Sequence, residues 1–175
     1  REALLPHLLP RLKRLSDAYL GDDAELTLYE GSEAIALRVP ARFADSWPVT
    51  YPSGNWHHDR CGNRLKAFIF LQRVTLQTHP TRIAVGSHKT LFWDHDMPRS
   101  RFNGEYVEGE YNVRAMLGEV GEGFIFDTNA IHKVTVDGAG ERQVLVLEFN
   151  RRRKSQLLDQ SPCGYLGRRG GRVKR

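Results

Sequence analysis

Three residues in this chain have the types and spacing to share one metal ion. His57 and Asp59 form a His-x-Asp pair inside Gly54-Asn55-Trp56-His57-His58-Asp59-Arg60. On an extended strand, residues two apart point to the same face. One imidazole nitrogen and one carboxylate oxygen can then meet a single ion. A second histidine, His132, lies in Phe126-Asp127-Thr128-Asn129-Ala130-Ile131-His132-Lys133. Two histidines and one carboxylate, with coordination positions left open, make the facial triad of non-haem Fe(II) chemistry. Structural zinc usually takes four protein ligands, often thiolates; only three residues match here, which favours an open, catalytic site. Arg142 follows on what reads as the next strand. Its planar fork pairs with a carboxylate in two-pronged fashion, which suits a dicarboxylate co-substrate.

The elements that must position these residues are mostly strands. Leucines and basic residues alternate over 1–20, and the spacing predicts an amphipathic helix starting near Pro10 and ending at Gly21. This helix packs outside a sheet. From Leu26 the apolar period becomes two. Strands are predicted at Leu26–Tyr29, Ala34–Val39, Leu65–Val74, Arg82–Val85, Val113–Leu117, Gly123–Asp127, His132–Asp137 and Arg142–Asn150. Many short strands with glycine and proline turns imply an all-β sandwich or barrel. Residues 90–110 read as a long structureless loop, a lid over the metal where substrate selectivity would reside. A three-residue loop, Gly138-Ala139-Gly140, would pair Val136 with Arg142 and turn His132 and Arg142 to one face, roughly 13 Å apart along the strands.

Length and composition set the bounds. One domain over 1–150 is expected, followed by a basic, flexible tail at 151–175. The tail carries nine Lys/Arg and one Asp, whereas the body carries 17 Lys/Arg and 20 Asp/Glu. The formal charge of +5 therefore belongs to the tail, and the acidic body offers no second basic face for nucleic acid. No apolar run approaches the roughly 18 residues that span a membrane. Two cysteines, Cys61 and Cys163, provide no disulfide framework and fit a reducing, cytoplasmic compartment. The chain begins with Arg1, so a truncated N-terminus is expected.

Four blocks give the chain a resemblance to a known family. They are Asn55-Trp56-His57-His58-Asp59-Arg60, Leu65-Lys66-Ala67-Phe68-Ile69-Phe70-Leu71, Val85-Gly86-Ser87-His88-Lys89, and Gly121-Glu122-Gly123-Phe124-Ile125-Phe126-Asp127 running on to His132. In this order, and with Arg142, they resemble the phytanoyl-CoA dioxygenase family of Fe(II)/2-oxoglutarate-dependent oxygenases. The resemblance implies a double-stranded β-helix, the jelly-roll or cupin-like barrel. It implies Fe(II) held by His57, Asp59 and His132, with 2-oxoglutarate and molecular oxygen as co-substrates. Arg142 would hold the C5 carboxylate of 2-oxoglutarate, and Phe70 would wall its pocket. The implied reaction is hydroxylation of a small-molecule or acyl substrate with release of succinate and carbon dioxide. This sequence departs from the family at Val85, where proline is usual, and at Lys133 and Val134, where small or hydroxylated residues are common.

Other residues carry plainer readings. His58, the middle residue of the pair, should point away from the metal. Trp56 and His88 read as structural, and His79 and His95 as loop residues. Lys66 either faces the interior and meets an anion or sits at a solvated edge. An alternative for the whole chain is a non-catalytic metal-binding β-barrel that recognises a ligand or partner.

Overall fold

The computed structural model describes residues 5–21, 24–27, 35–39, 52–59, 64–89, 101–135 and 140–151. The cysteines, His95, residues 90–100 and the tail beyond Arg151 lie outside these. The described chain is mostly β, with two sheets and two helices. The first helix, α1, spans Leu5–Leu20. The strands are β1 (Ala24–Thr27), β2 (Ile35–Val39), β3 (Leu65–Phe70), β4 (Thr81–Ala84), β5 (Val113–Ala115), β6 (Gly123–Asp127), β7 (His132–Val134) and β8 (Arg142–Arg151). The second helix, α2, covers Gly104–Glu110 between β4 and β5.

One sheet runs β1-β8-β3-β6, with β2 also paired to β8. The ten-residue β8 is long enough to hold β2 and β1 end to end along one edge and β3 along the other. The other sheet runs β5-β4-β7. All strand pairs are antiparallel.

Strand alternation divides the larger sheet into two faces. Leu65, Ala67 and Ile69 on β3, with Leu145, Leu147 and Phe149 on β8, form one buried apolar layer. Leu12 and Leu20 of α1 complete it, with Leu8 and Leu9 packed alongside. Each such leucine contributes about 1.5–3 kcal/mol when fully buried, so α1 is held by packing. The opposite face carries Lys66, Phe68 and Phe70 on β3 against Glu148, Val146 and Val144 on β8. That face looks into the interior.

The structure corrects four expectations. Helix α1 begins a turn earlier than Pro10, which lies inside it; an interior proline loses the bond to the carbonyl four residues back and crowds that carbonyl, at a cost of about 3 kcal/mol, which the burial of several leucines offsets. Gly21 does end the helix, at φ 105°, a left-handed conformation that glycine tolerates. Strand β3 stops at Phe70, and Val74 makes only an isolated bridge to Gly118. Residues 101–110 are not a structureless loop: Asn103 caps α2, its side chain accepting from the backbone of Glu105 and Tyr106, and Val107 anchors the helix in a small core with Trp56, Ala84 and Ile131. Finally, β7 and β8 do not form a hairpin among the described residues. β7 joins the smaller sheet beside β4, with His132 also bridged to His57, and β8 is already flanked by β2 and β3; the expected Gly138-Ala139 turn and Val136 lie outside the described residues.

Candidate metal centre

The two histidines meet across a backbone bridge. His57 N–H donates to the His132 carbonyl at 2.9 Å, and His132 N–H donates back to the His57 carbonyl at 2.7 Å. Directly opposed antiparallel residues project side chains to one face, and the rings lie 4.4 Å apart, centre to centre. Ile83 pairs with His132 on one side and Arg101 with His57 on the other. Ile83, His132, His57 and Arg101 thus form one rung of the smaller sheet. Within the His-x-Asp segment only His57 makes a bridge. Asp59 N–H donates to the Thr128 carbonyl at 3.0 Å, which pins the carboxylate beside the histidines.

Each imidazole has a fixed orientation. Nδ1 of His57 lies 2.7 Å from the Asn55 carbonyl and Nδ1 of His132 lies 2.8 Å from the Ala130 carbonyl. A carbonyl only accepts, so Nδ1 carries the proton and Nε2 presents a lone pair, as metal-binding histidines require. Asp59 Oδ1 sits 3.8 Å from His57 Nε2 and 3.7 Å from His132 Nε2. All three ligand atoms lie within 4.8 Å of one another. Small side-chain shifts would bring them to the bond lengths of about 2.0–2.2 Å that first-row ions take with nitrogen and carboxylate donors.

Protonation agrees with that role. Burial, and then the neighbouring His132, pushes His57 down to about 3. Burial lowers His132 as well. Asp59 is held well below the usual carboxylate range: burial alone would raise it, but Lys66, His132 and Arg64 together prevail. At neutral pH the site therefore offers two neutral imidazoles and one carboxylate, the ionisation state that a divalent cation needs.

Behind the triad lies a charged group that sequence reasoning only partly anticipated. Lys66 faces the interior, and its Nζ is 2.6 Å from Asp59 Oδ2 and 3.7 Å from Glu148 Oε2. The open question about Lys66 is thus settled toward the inside, where its anions are the protein's own. Arg64 donates to Glu148 Oε1 at 2.8 Å, and Asn150 donates to the same oxygen at 2.9 Å.

Arg142 is buried and donates from Nη1 to the Thr81 hydroxyl at 2.8 Å. It shares the inward face of β8 with Val144, Val146 and Glu148, and Thr81 stands opposite Val134 on β7. A hydroxyl is therefore present beside Arg142, although on a neighbouring strand and not at position 134. Phe70 is buried against Val144, its ring 6.0 Å from Phe124, which stacks on Phe68 at 5.0 Å. His58 is outside the triad and hydrogen-bonds through Nδ1 to the Asp59 carbonyl at 2.8 Å. Trp56 is core, with Lys133 4.8 Å over its ring. His79 is a loop residue as read, but fully buried. Among the described residues, no helix is long and apolar enough to cross a membrane.

No family model matches the chain, and no curated protein matches it. Solved structures do. EvdMO1 matches over 83% of this chain and 32% of its own, at 17% identity and a TM-score of 0.56. EctD from S. alaskensis, crystallised with 2-oxoglutarate and 5-hydroxyectoine, matches over 86% of this chain and 53% of its own, at 19% identity and a TM-score of 0.56. SnoN, a non-heme alpha-ketoglutarate-dependent epimerase of nogalamycin biosynthesis, matches over 80% and 54%, at 15% identity and a TM-score of 0.56. The chain shares their fold. It spans about a third to just over half of their lengths.

Proposed function

We propose that this chain is the core of a non-haem Fe(II)- and 2-oxoglutarate-dependent dioxygenase, related to the phytanoyl-CoA dioxygenase family. It hydroxylates a small-molecule or acyl substrate and releases succinate and carbon dioxide. The observation that carries this reading is the convergence of two oriented Nε2 atoms and one ionised carboxylate oxygen. The fold shared with EctD and SnoN supports it, and the two sheets are read as the halves of a jelly-roll barrel.

In this reading His57, Asp59 and His132 hold the Fe(II). The bound metal, with 2-oxoglutarate and oxygen, supplies the oxidising power for attack on a C–H bond. The chain's own part is orientation and exclusion. The Asn55 and Ala130 carbonyls keep both rings in one tautomer. Arg142 pairs with the C5 carboxylate of 2-oxoglutarate, and the Thr81 hydroxyl, already accepting from Arg142, has its own proton to donate to the same group. Phe70, together with Phe68 and Phe124, lines the pocket with apolar surface and keeps water from the reacting centre.

Succinate release from 2-oxoglutarate, measured with and without Fe(II), tests the proposal. Metal-dependent succinate formation that disappears in His132→Ala is the expected result. Stoichiometric metal binding with no 2-oxoglutarate turnover would favour a non-catalytic metal-binding barrel instead.

A further inference from the structure

The carboxylate of Asp59 is divided between two tasks. Oδ1 faces His57 and His132 at 3.8 and 3.7 Å. Oδ2 faces away from them, with Lys66 Nζ at 2.6 Å and Arg64 Nη2 at 3.9 Å. Lys66 is placed by the sheet itself: it stands on β3 opposite Glu148 on β8, and Glu148 Oε2 lies 3.7 Å from the ammonium, an ion pair longer than a hydrogen bond. Glu148 is in turn fixed by Arg64 and Asn150 on Oε1. Lys66 therefore stands between two carboxylates, the buried Glu148 and the partly buried Asp59 of the triad.

Coordination arithmetic gives this arrangement a purpose. A six-coordinate ion held by three protein atoms keeps three positions for other ligands. A carboxylate can also chelate through both oxygens. Were Asp59 to do so, the protein would occupy four positions and leave two. A co-substrate that binds through a carboxylate and a keto oxygen would fill both, with none left for oxygen. We propose that Lys66, anchored by Glu148, is a positioning residue that engages Oδ2 and restricts Asp59 to one-oxygen ligation, so keeping the third position open. The inference rests on the metal centre argued above and concerns how that centre is kept open.

The consequence separates this role from a merely structural one. Loss of Lys66 frees Oδ2 and removes a cation from the neighbourhood of the metal, so metal binding should hold or tighten. Binding of 2-oxoglutarate should weaken, because it must displace the second carboxylate oxygen. A structural defect would weaken both.

The probe is Co(II), titrated without oxygen into the whole chain and followed by its visible absorption, with 2-oxoglutarate then titrated into the Co(II) protein. In Lys66→Met the expected result is Co(II) affinity at least equal to the parent, an altered visible spectrum, and 2-oxoglutarate affinity lower by about tenfold or more, the scale on which loss of a group behind a metal ligand alters metal affinity or activity. Lys66→Arg, which retains a cationic donor for Oδ2, should recover most of that loss. Parallel loss of Co(II) and 2-oxoglutarate affinity, or no change in either, would overturn the proposal. Should Lys66→Met fail to fold, Lys66→Gln reads the same contrast, and failure of both to fold would assign Lys66 to stability and overturn it too. A parent protein whose Co(II) spectrum does not respond to 2-oxoglutarate would instead overturn the dioxygenase reading itself.

Discussion

Replacing Arg142 with alanine is the sharpest test of the co-substrate site proposed above. Arg142 is 2% exposed, so a carboxylate brought to it leaves water almost completely. Removing one partner of a buried ion pair typically costs about 3–5 kcal/mol, since the remaining charge keeps its desolvation penalty. At about 1.4 kcal/mol per decade, that is a loss of two to more than three orders of magnitude in 2-oxoglutarate affinity. Arg142→Lys keeps the charge without the planar fork and should fall between the two. Thr81→Val keeps the shape and removes one hydroxyl; a hydrogen bond to a charged group is worth about 1.5–3 kcal/mol, so roughly ten- to 150-fold is expected. Initial rates of succinate release across a 2-oxoglutarate series, with Co(II)-protein titrations alongside, give both numbers. Circular dichroism controls for the loss of the cross-sheet bond from Arg142 to Thr81. Unchanged affinity in a folded Arg142→Ala protein would show that another residue holds the far carboxylate.

Alanine at His57, Asp59 or His132 should each abolish Fe(II)-dependent succinate release with the circular dichroism spectrum retained; full turnover in any of the three would remove that residue from the triad. Gly123→Ala should destabilise the chain by about 1–3 kcal/mol or more, because a Cβ there collides with the Phe68 carbonyl oxygen across the β3–β6 pairing; an unchanged melting temperature would show that the strands separate freely at that point. The metal-free protein should lose stability on acidification. His57 sits at about 3 when folded against 6.5 ordinarily, so the unfolded chain binds more protons between those values and stability falls as pH drops from about 6.5 toward 3; melting temperatures that stay level across that window would contradict the buried, neutral imidazole.

How much was legible in the sequence depended on whether a residue's neighbours were local. Strand β6 was readable to the residue, since Gly123–Asp127 lies between turn signals and carries its own alternation. Arg142, Val144, Val146 and Glu148 occupy alternate positions of β8, so strand parity alone puts them on one face. Helix α2 was missed because its seven residues include two glycines and offer a single buried residue, Val107; its cap and one tertiary contact decide it, and neither has a period. The hairpin between β7 and β8 failed for a different reason. The turn chemistry allowed it, but β8 is flanked by β2 and β3, and His132 is bridged instead to His57, distant in sequence. Local loop rules cannot register a competitor 75 residues upstream of His132.

That competition also explains how the centre is built. His57 and His132 become neighbours only because the His-x-Asp segment joins the smaller sheet beside β7. The groups behind Asp59 belong to the larger sheet: Lys66 on β3 and Glu148 on β8. Asp59 spans the two, its Oδ1 toward the histidines and its Oδ2 toward Lys66. Arg142 crosses the same interior in the opposite direction, from β8 to Thr81 on β4. Neither sheet alone contains a site. The His-x-Asp pair by itself is a fragment of the kind that occurs by chance; His132, Lys66, Glu148 and Arg142 join it only when the sheets pack. Interior substitutions that change the spacing between the sheets, even without touching a ligand, should therefore act on metal binding and on 2-oxoglutarate binding together, whereas Lys66 should move them apart.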